Sequence, residues 1–565
     1  MKKITAMVLA VVMMLSLNIV VPVVAKEVSS AEELHAALVD DQNVTLTDNV
    51  DLTGYDWTVV PEYTGTLDGA GYTINLGTQD DSFIGSLYGT VKNLTFTGSM
   101  NPDNVSDATI VYGFDAGEKG LGVVANNAVG ATIENVDCRV NVTFALESTT
   151  DVNFGCLVGI AMSEYDEGKN SLVAHTSIVN CQTYGTIDVD NNAKNGAVGG
   201  IVGKSYSDTT IEKCASYVEV VTNNYYAHFG GILGSVMVHG YTSLGYAQDD
   251  TDYSSVNIKN CIFAGNLTAT TNTDQAAGIL GYCNTNGTVS ITSCFFSGML
   301  TVPSRDTRHI FGYSKLYASG MIEDFNITAC ASVGQTFKGQ TEQTIMAHNK
   351  DRGNKQGYIK CKDNFITGNQ SFSGLCTIVN NVKLDTAAEV KVAFVEYANA
   401  NSDTCVFVIE NDEVVIVRDN EKHDYKVMDN NVLSAGICTE CGAKSDADYA
   451  GLIQFAGSVA TSDNRVRVLM VISEDELNNA EYDSFTMTIT INGDSYSLPD
   501  TMFTAYTAVT ADGVNLTAAD GYQIFGVILE LKTIDVLTME VDIVTGNDPA
   551  AGTELYSATY SKATN

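Results

Sequence analysis

Gly199-Gly200-Ile201-Val202-Gly203, followed by Ile211-Glu212-Lys213-Cys214, is the phrase whose recurrence decides the fold. It returns as Gly230-Gly231-Ile232-Leu233-Gly234 with Ile258-Lys259-Asn260-Cys261, and as Ala277-Gly278-Ile279-Leu280-Gly281 with Ile291-Thr292-Ser293-Cys294. Looser copies are Gly155-Cys156-Leu157-Val158-Gly159 with Ile178-Val179-Asn180-Cys181, and Ile310-Phe311-Gly312 with Ile327-Thr328-Ala329-Cys330. Val91-Lys92-Asn93-Leu94 and Ile133-Glu134-Asn135-Val136 carry an aliphatic residue in place of Cys. Aligned on the leading Ile or Val, the steps are 42, 45, 33, 47, 33 and 36 residues. Self-similarity at such a period marks a protein of stacked repeats.

Each repeat between about 120 and 337 supplies three short strands. These are the Gly-Gly-Ile-Val-Gly type, the Ile-x-Asn-Cys type, and an alternating type such as Thr186-Ile187-Asp188-Val189 or Tyr217-Val218-Glu219-Val220. Three short strands per turn fit a parallel β-helix, whereas a propeller blade needs four longer antiparallel ones. The expected class is all-β: a right-handed parallel β-helix of six or seven coils. Cys181, Cys214, Cys261, Cys294 and Cys330 hold one equivalent position. On stacked parallel strands their Cβ vectors run parallel, which is poor disulfide geometry. They are expected as a ladder of small buried hydrophobes.

The flanks complete the plan. Residues 1–25 read as a signal peptide: Lys2 and Lys3, an apolar run from Ile4 to Val21, and a Val23-Val24-Ala25 cleavage site. Residues 26–337 form the β-helix, beginning with a helix capped by Ser30-Ala31-Glu32-Glu33 that places Leu34, Ala37 and Leu38 on one face. Residues 338–420 form an end cap or small β module, in which Lys391 to Tyr397 and Cys405 to Val417 are expected as strands, with a turn near Asn411-Asp412. Residues 421–445 form a Cys/His linker. Residues 446–565 carry alternating strands at β-sandwich spacing.

The formal net charge of −38 opposes nucleic acid and anionic membranes as partners. No later stretch of about 19 apolar residues follows the leader, so no integral membrane segment is expected. The expected location is secreted or extracellular, with wall association open.

With these residues read, the chain resembles secreted right-handed β-helix proteins with GLUG-type repeats, of the kind found in Gram-positive anaerobic bacteria. The resemblance rests on the Gly-Gly-Ile-Val-Gly copies with their Ile-x-Asn-Cys strands, and on Thr66-Leu67-Asp68-Gly69-Ala70-Gly71-Tyr72-Thr73-Ile74. It covers about residues 30–337 and implies an adhesin-like surface protein. Some members are modules of IgA-cleaving metallopeptidases, which need a His-Glu-x-x-His helix; this sequence has none.

The linker resembles a surface-protein element through His423-Asp424-Tyr425 and Gly436-Ile437-Cys438-Thr439-Glu440-Cys441-Gly442, with Glu421 where that element has Cys. Glu421, His423, Cys438 and Cys441 are the candidate zinc set; the plain alternative is a glycine-ended knuckle with reduced thiols. Tyr241, Tyr246, Asp249, Asp250, Asp252 and Tyr253, in a long insertion, are the candidate ligand-binding residues. Their rings suit sugar stacking and their acids suit calcium or, at the right separation, acid–base chemistry on a glycan. Glu164, Asp166 and Glu167 lie in a shorter insertion, and Arg305-Asp306-Thr307-Arg308-His309 is a compact basic cluster. The latter fits either an acidic sugar or a salt-bridged turn. No catalytic residue is assigned and no cofactor beyond zinc or calcium is considered. The expected function is non-catalytic binding of an extracellular glycan or a host or cell-surface protein. Its alternatives are a β-helix polysaccharide lyase or glycoside hydrolase, and a structural stalk for the C-terminal domain.

Overall fold

The computed structural model describes residues 25–102, 119–144, 152–166, 171–189, 196–222, 228–237, 255–269, 275–283, 288–302, 306–314, 325–336, 343–344, 348–349, 359–368, 370–371, 377–402 and 404–418. It further describes 425–429, 432–438, 454–461, 465–473, 485–491, 494–511, 514–518, 522–530, 538–545 and 554–561. The chain divides into two compact units. One holds Met1–Thr328, Gly334–Lys362 and Asn369–Val379; the other holds Ala329–Val333, Asp363–Gly368 and Asn380–Asn565.

Among its described residues the first unit is all-β apart from one helix, and it is built by repetition. The leading aliphatic residue of each repeat pairs with its counterpart one repeat on: Val91 with Ile133, then Ile178, Ile211, Ile258, Ile291 and Ile327. The ladder continues to Leu67 and Val44 on one side, and to Cys361 and Ile378 on the other. Every one of these pairings is parallel. Parallel neighbours need a long crossover connection, and here the remainder of each repeat supplies it. This is the pairing expected of a parallel β-helix.

A sharp corner follows each leading strand. Asn93, Asn135, Asn180, Lys213, Asn260 and Ser293 all stand there with φ between 50° and 56°. Asn tolerates this left-handed conformation better than most residues, and three of the four Asn also stack. Asn180 Nδ2 donates to Asn135 Oδ1, Asn135 Nδ2 to Asn93 Oδ1 at 3.0 Å, and Asn93 Nδ2 to Asp68 Oδ1 at 3.1 Å. Immediately after the corner come Cys181, Cys214, Cys261 and Cys294, each fully buried as a free thiol.

Two further parallel sheets run alongside. One has nine strands, from Val60–Tyr63 to His348–Asn349, and the other six, from Lys119–Gly122 to Asp306–Arg308. Their strands carry the glycine phrase, and the spacing explains it. A Cβ on Gly199 would lie 1.8 Å from Val202 O, and one on Gly231 would lie 2.1 Å from the Phe263 ring. On Gly234 it would meet Gly203 O at 2.6 Å and Val198 O at 2.7 Å. The phrase is thus a record of backbone contact and not of flexibility.

Helix α1, Ala31–Val39, forms where the capping signal places it. Ser30 Oγ accepts from Glu33 N, and Ala31, Leu34, Ala37 and Leu38 are buried. Burying each Leu contributes roughly 1.5–3 kcal/mol.

In the second unit, Ala331–Ser332, Phe365–Thr367 and Val382–Leu384 pair in parallel. Residues 391–397, expected as a strand, instead belong to helix α2, Ala387–Ala400. Thr386 and Glu389 make a complete capping box, and Val390, Lys391, Phe394, Val395 and Ala398 form a buried stripe of helical period. Val392, which an outward-inward alternation would bury, is 46% exposed. Phe407–Glu410 and Glu413–Ile416 form the expected antiparallel hairpin, turning at Asn411 and Asp412, both at positive φ. Buried Asn399 ties helix to hairpin: its Oδ1 accepts from Val406 N and Phe407 N, and its Nδ2 donates to Phe407 O.

From 454 onward the described strands pair antiparallel with one another, and Val514–Ala518 also pairs in parallel with Val432–Cys438. Arg465–Ser473 lies between Gln454–Thr461 and Tyr522–Glu530, and Phe485–Ile491 lies between Asp494–Pro499 and Thr538–Thr545. Among the described residues, no helix is long and apolar enough to cross a membrane.

Candidate functional site

Most of the residues singled out from sequence lie outside the residues that the structure describes. Tyr241, Tyr246, Asp249, Asp250, Asp252 and Tyr253 lie outside the described residues, as do Glu421, His423 and Cys441. Cys438 ends the strand Val432–Cys438, opposite Tyr425. Glu164–Asp166 pairs antiparallel with Ser171–Ala174, while Glu167 is outside the described residues.

Of the basic cluster at 305–309, Arg305 lies outside the described residues. Asp306–Arg308 is a strand of the six-stranded sheet, and His309 is fully buried, its ring centroid 5.0 Å from that of Phe296. Burial, reinforced by the Arg308 charge, pushes the His309 pKa down to about 3. The chain's single Trp is also committed to packing. Trp57 stacks on Phe83 at 4.4 Å and is covered by His35 at 4.6 Å.

The repeat instead assembles a stripe that strand-by-strand reading misses. Cys138, Thr183 and Ser216 are fully buried, so their sequence neighbours on these strands point outward. Those neighbours are Asp137 and Arg139, then Gln182 and Tyr184, then Tyr217. Register places Arg139 beside Tyr184, and Tyr217 N donates to Thr183 O on the next strand. The side chains join into a continuous line. The Arg139 guanidinium lies 4.4 Å from the Tyr184 ring centroid, and the Tyr184 and Tyr217 rings stack at 5.0 Å with planes 11° apart.

Polar groups flank the line. Arg139 Nη2 is 3.5 Å from Asp137 Oδ2, and the Tyr184 hydroxyl donates to Gln182 Oε1 at 2.5 Å. Arg139 is exposed and both Tyr are half-buried. The stripe therefore offers solvent an aromatic surface, a guanidinium, a carboxylate and an amide. An exposed cation–π pair contributes about 0.5–1 kcal/mol and an exposed ion pair about 0–1. These contacts hold the groups in place more than they hold the fold together. The signal was present in the sequence: Arg139, Tyr184 and Tyr217 are separated by 45 and 33 residues, the same steps as the repeat itself.

No family model matches the chain, and no curated protein matches it. Among solved structures, it is similar to a provisionally named immunoglobulin A1 protease from Bacteroides ovatus, at 15% identity and a TM-score of 0.38. That alignment covers 70% of this chain and 93% of the other. It is also similar to a structure named IgA1 protease, at 15% identity and a TM-score of 0.35, covering 74% of this chain and 33% of that one. At this level of likeness neither structure's activity transfers to this chain.

Proposed function

We propose that this chain is an exported, non-catalytic binding protein of adhesin-like character. In this reading a right-handed parallel β-helix of six or seven coils, followed by a C-terminal β-sandwich, holds a neutral extracellular glycan along Arg139, Tyr184 and Tyr217. The observation that carries it is the alignment of those three solvent-facing side chains on consecutive strands. Aromatic rings offer apolar faces for the C–H surfaces of a pyranose, while Asp137, Arg139 and Gln182 supply acceptors and donors for its hydroxyls. A net charge of −38 works against polyanions, and Asp137 offsets much of the Arg139 charge. Neutral polymers fit that balance better than acidic ones.

The test uses residues 26–565 against neutral and acidic polysaccharides. Affinity electrophoresis reports retention, while reducing ends and unsaturated products report cleavage. Retention by a neutral polymer without cleavage is expected. Cleavage would move the protein to the lyase or hydrolase class, and silence throughout would leave a stalk or a protein ligand.

A further inference from the structure

The glycan stripe is built on a block of side chains whose hydrogen-bonding capacity is uneven. Asp137 and Arg139 stand on one strand, and Gln182 and Tyr184 stand beside them on the next, Asp137 against Gln182 and Arg139 against Tyr184. Printed contacts tie the block together. Arg139 Nη2 lies 3.5 Å from Asp137 Oδ2, and the guanidinium lies 4.4 Å from the Tyr184 ring centroid. At the far end of that ring the Tyr184 hydroxyl donates to Gln182 Oε1 at 2.5 Å.

Those contacts consume acceptors and leave donors. Gln182 Oε1 takes the Tyr184 proton, and a carboxamide held by its oxygen turns its N–H bonds away from that partner. Arg139 carries donors and no acceptor. Its side chain is 52% exposed, whereas that of Asp137, its ion partner, is 15% exposed. A ligand arriving from solvent therefore meets the N–H groups of Arg139 and Gln182 beside the stacked rings of Tyr184 and Tyr217. These donors do not make an anion site. Asp137 already offsets Arg139, and the whole chain carries a net charge of −38.

A surface rich in donors and close to neutral discriminates among uncharged sugars. A hydroxyl both donates and accepts, so a plain hexose leaves part of its capacity to water here. An acetamido substituent suits the surface better. Its carbonyl oxygen is an acceptor, it is uncharged, and its methyl group is an apolar surface for an aromatic ring.

We propose that the stripe selects glycans built of acetamido sugars, whose carbonyl accepts from Arg139 and Gln182 while the methyl lies against the tyrosine rings. This selectivity rests on the glycan reading above and names the class of sugar within it. Gln182 is then a specificity-determining residue, and Tyr184 is the positioning residue whose hydroxyl orients it.

The experiment is isothermal titration calorimetry of residues 26–565 with N-acetylated chitohexaose and with cellohexaose, which has the same linkage and length without acetamido groups. The wild type should bind the chitohexaose at least about tenfold more tightly, the effect of one good hydrogen bond. Gln182→Met and Arg139→Met should each cut that preference to about threefold or less. Tyr184→Phe, which keeps the ring and loses the hydroxyl, should cut it in the same sense and add nothing in the Gln182→Met background. Equal binding of the two oligomers, both weakened by Tyr217→Ala, overturns the selectivity and leaves the glycan reading standing. Binding of neither oligomer, with another neutral polysaccharide retained, has the same meaning. A preference undiminished in Gln182→Met also overturns it. Failure of every glycan to bind overturns both together.

Discussion

At the scale of single residues, the fold is held by positions where one atom too many would not fit. Gly234→Ala should lower unfolding free energy by about 3 kcal/mol, the range for overpacking a tight core, because its Cβ would meet two backbone carbonyls that belong to neighbouring strands. Urea denaturation measures it; a loss within a few tenths would show that the sheets are looser than the structure has them. The thiols make a second case. Burial raises the Cys138 pKa to about 12 and sends Cys214 and Cys261 well above the usual thiol value. The native chain should therefore show at most the thiols of Cys376, Cys438 and Cys441 to a thiol reagent, and all 13 once unfolded. Early reaction of more than three would contradict the buried ladder. His228 and His309 set a pH dependence. Both have folded pKa values depressed from 6.5 to about 3, mainly by burial. The unfolded chain takes up their protons below about 6.5 while the folded chain does not, so this contribution to stability is complete above 6.5 and is lost as pH falls toward 3. The urea midpoint should drop between pH 7 and 4, and His309→Gln should flatten that drop.

At the scale of elements, caps proved more readable than alternation. Ser30-x-x-Glu33 announced α1, and the structure has that helix with its expected buried face. Ser30→Ala should cost about 1 kcal/mol, seen as a lower thermal midpoint; no change would mean that packing alone fixes the helix. Thr386-x-x-Glu389 is the same signal, but Lys391 to Tyr397 was expected as a strand. The helical stripe Val390, Phe394 and Ala398 won because the cap fixes the first turn and the neighbouring strands give that stripe a surface to cover. The hairpin at Asn411-Asp412 was legible because two adjacent residues at positive φ favour Asn and Asp.

At the scale of the whole molecule, the period of the repeat foretold the ladder of parallel pairs from Val91 to Ile327. The reason for the glycines of the repeated phrase is backbone contact between strands, which only neighbours distant in sequence reveal. The candidate site was the least legible part. Conspicuous clusters of Tyr and Asp in an insertion drew attention, while Arg139, Tyr184 and Tyr217 are unremarkable singly and gain meaning only through register. The measurement that bears most directly on the account is affinity electrophoresis of the mature chain in a gel containing the neutral polysaccharide that retains it, comparing wild type with Tyr184→Ala and Tyr217→Ala. The account predicts that each variant folds normally and loses at least about tenfold in affinity, the loss of one aromatic contact of roughly 1.5 kcal/mol. Undiminished retention in the doubly substituted chain would contradict it and place binding elsewhere on the protein.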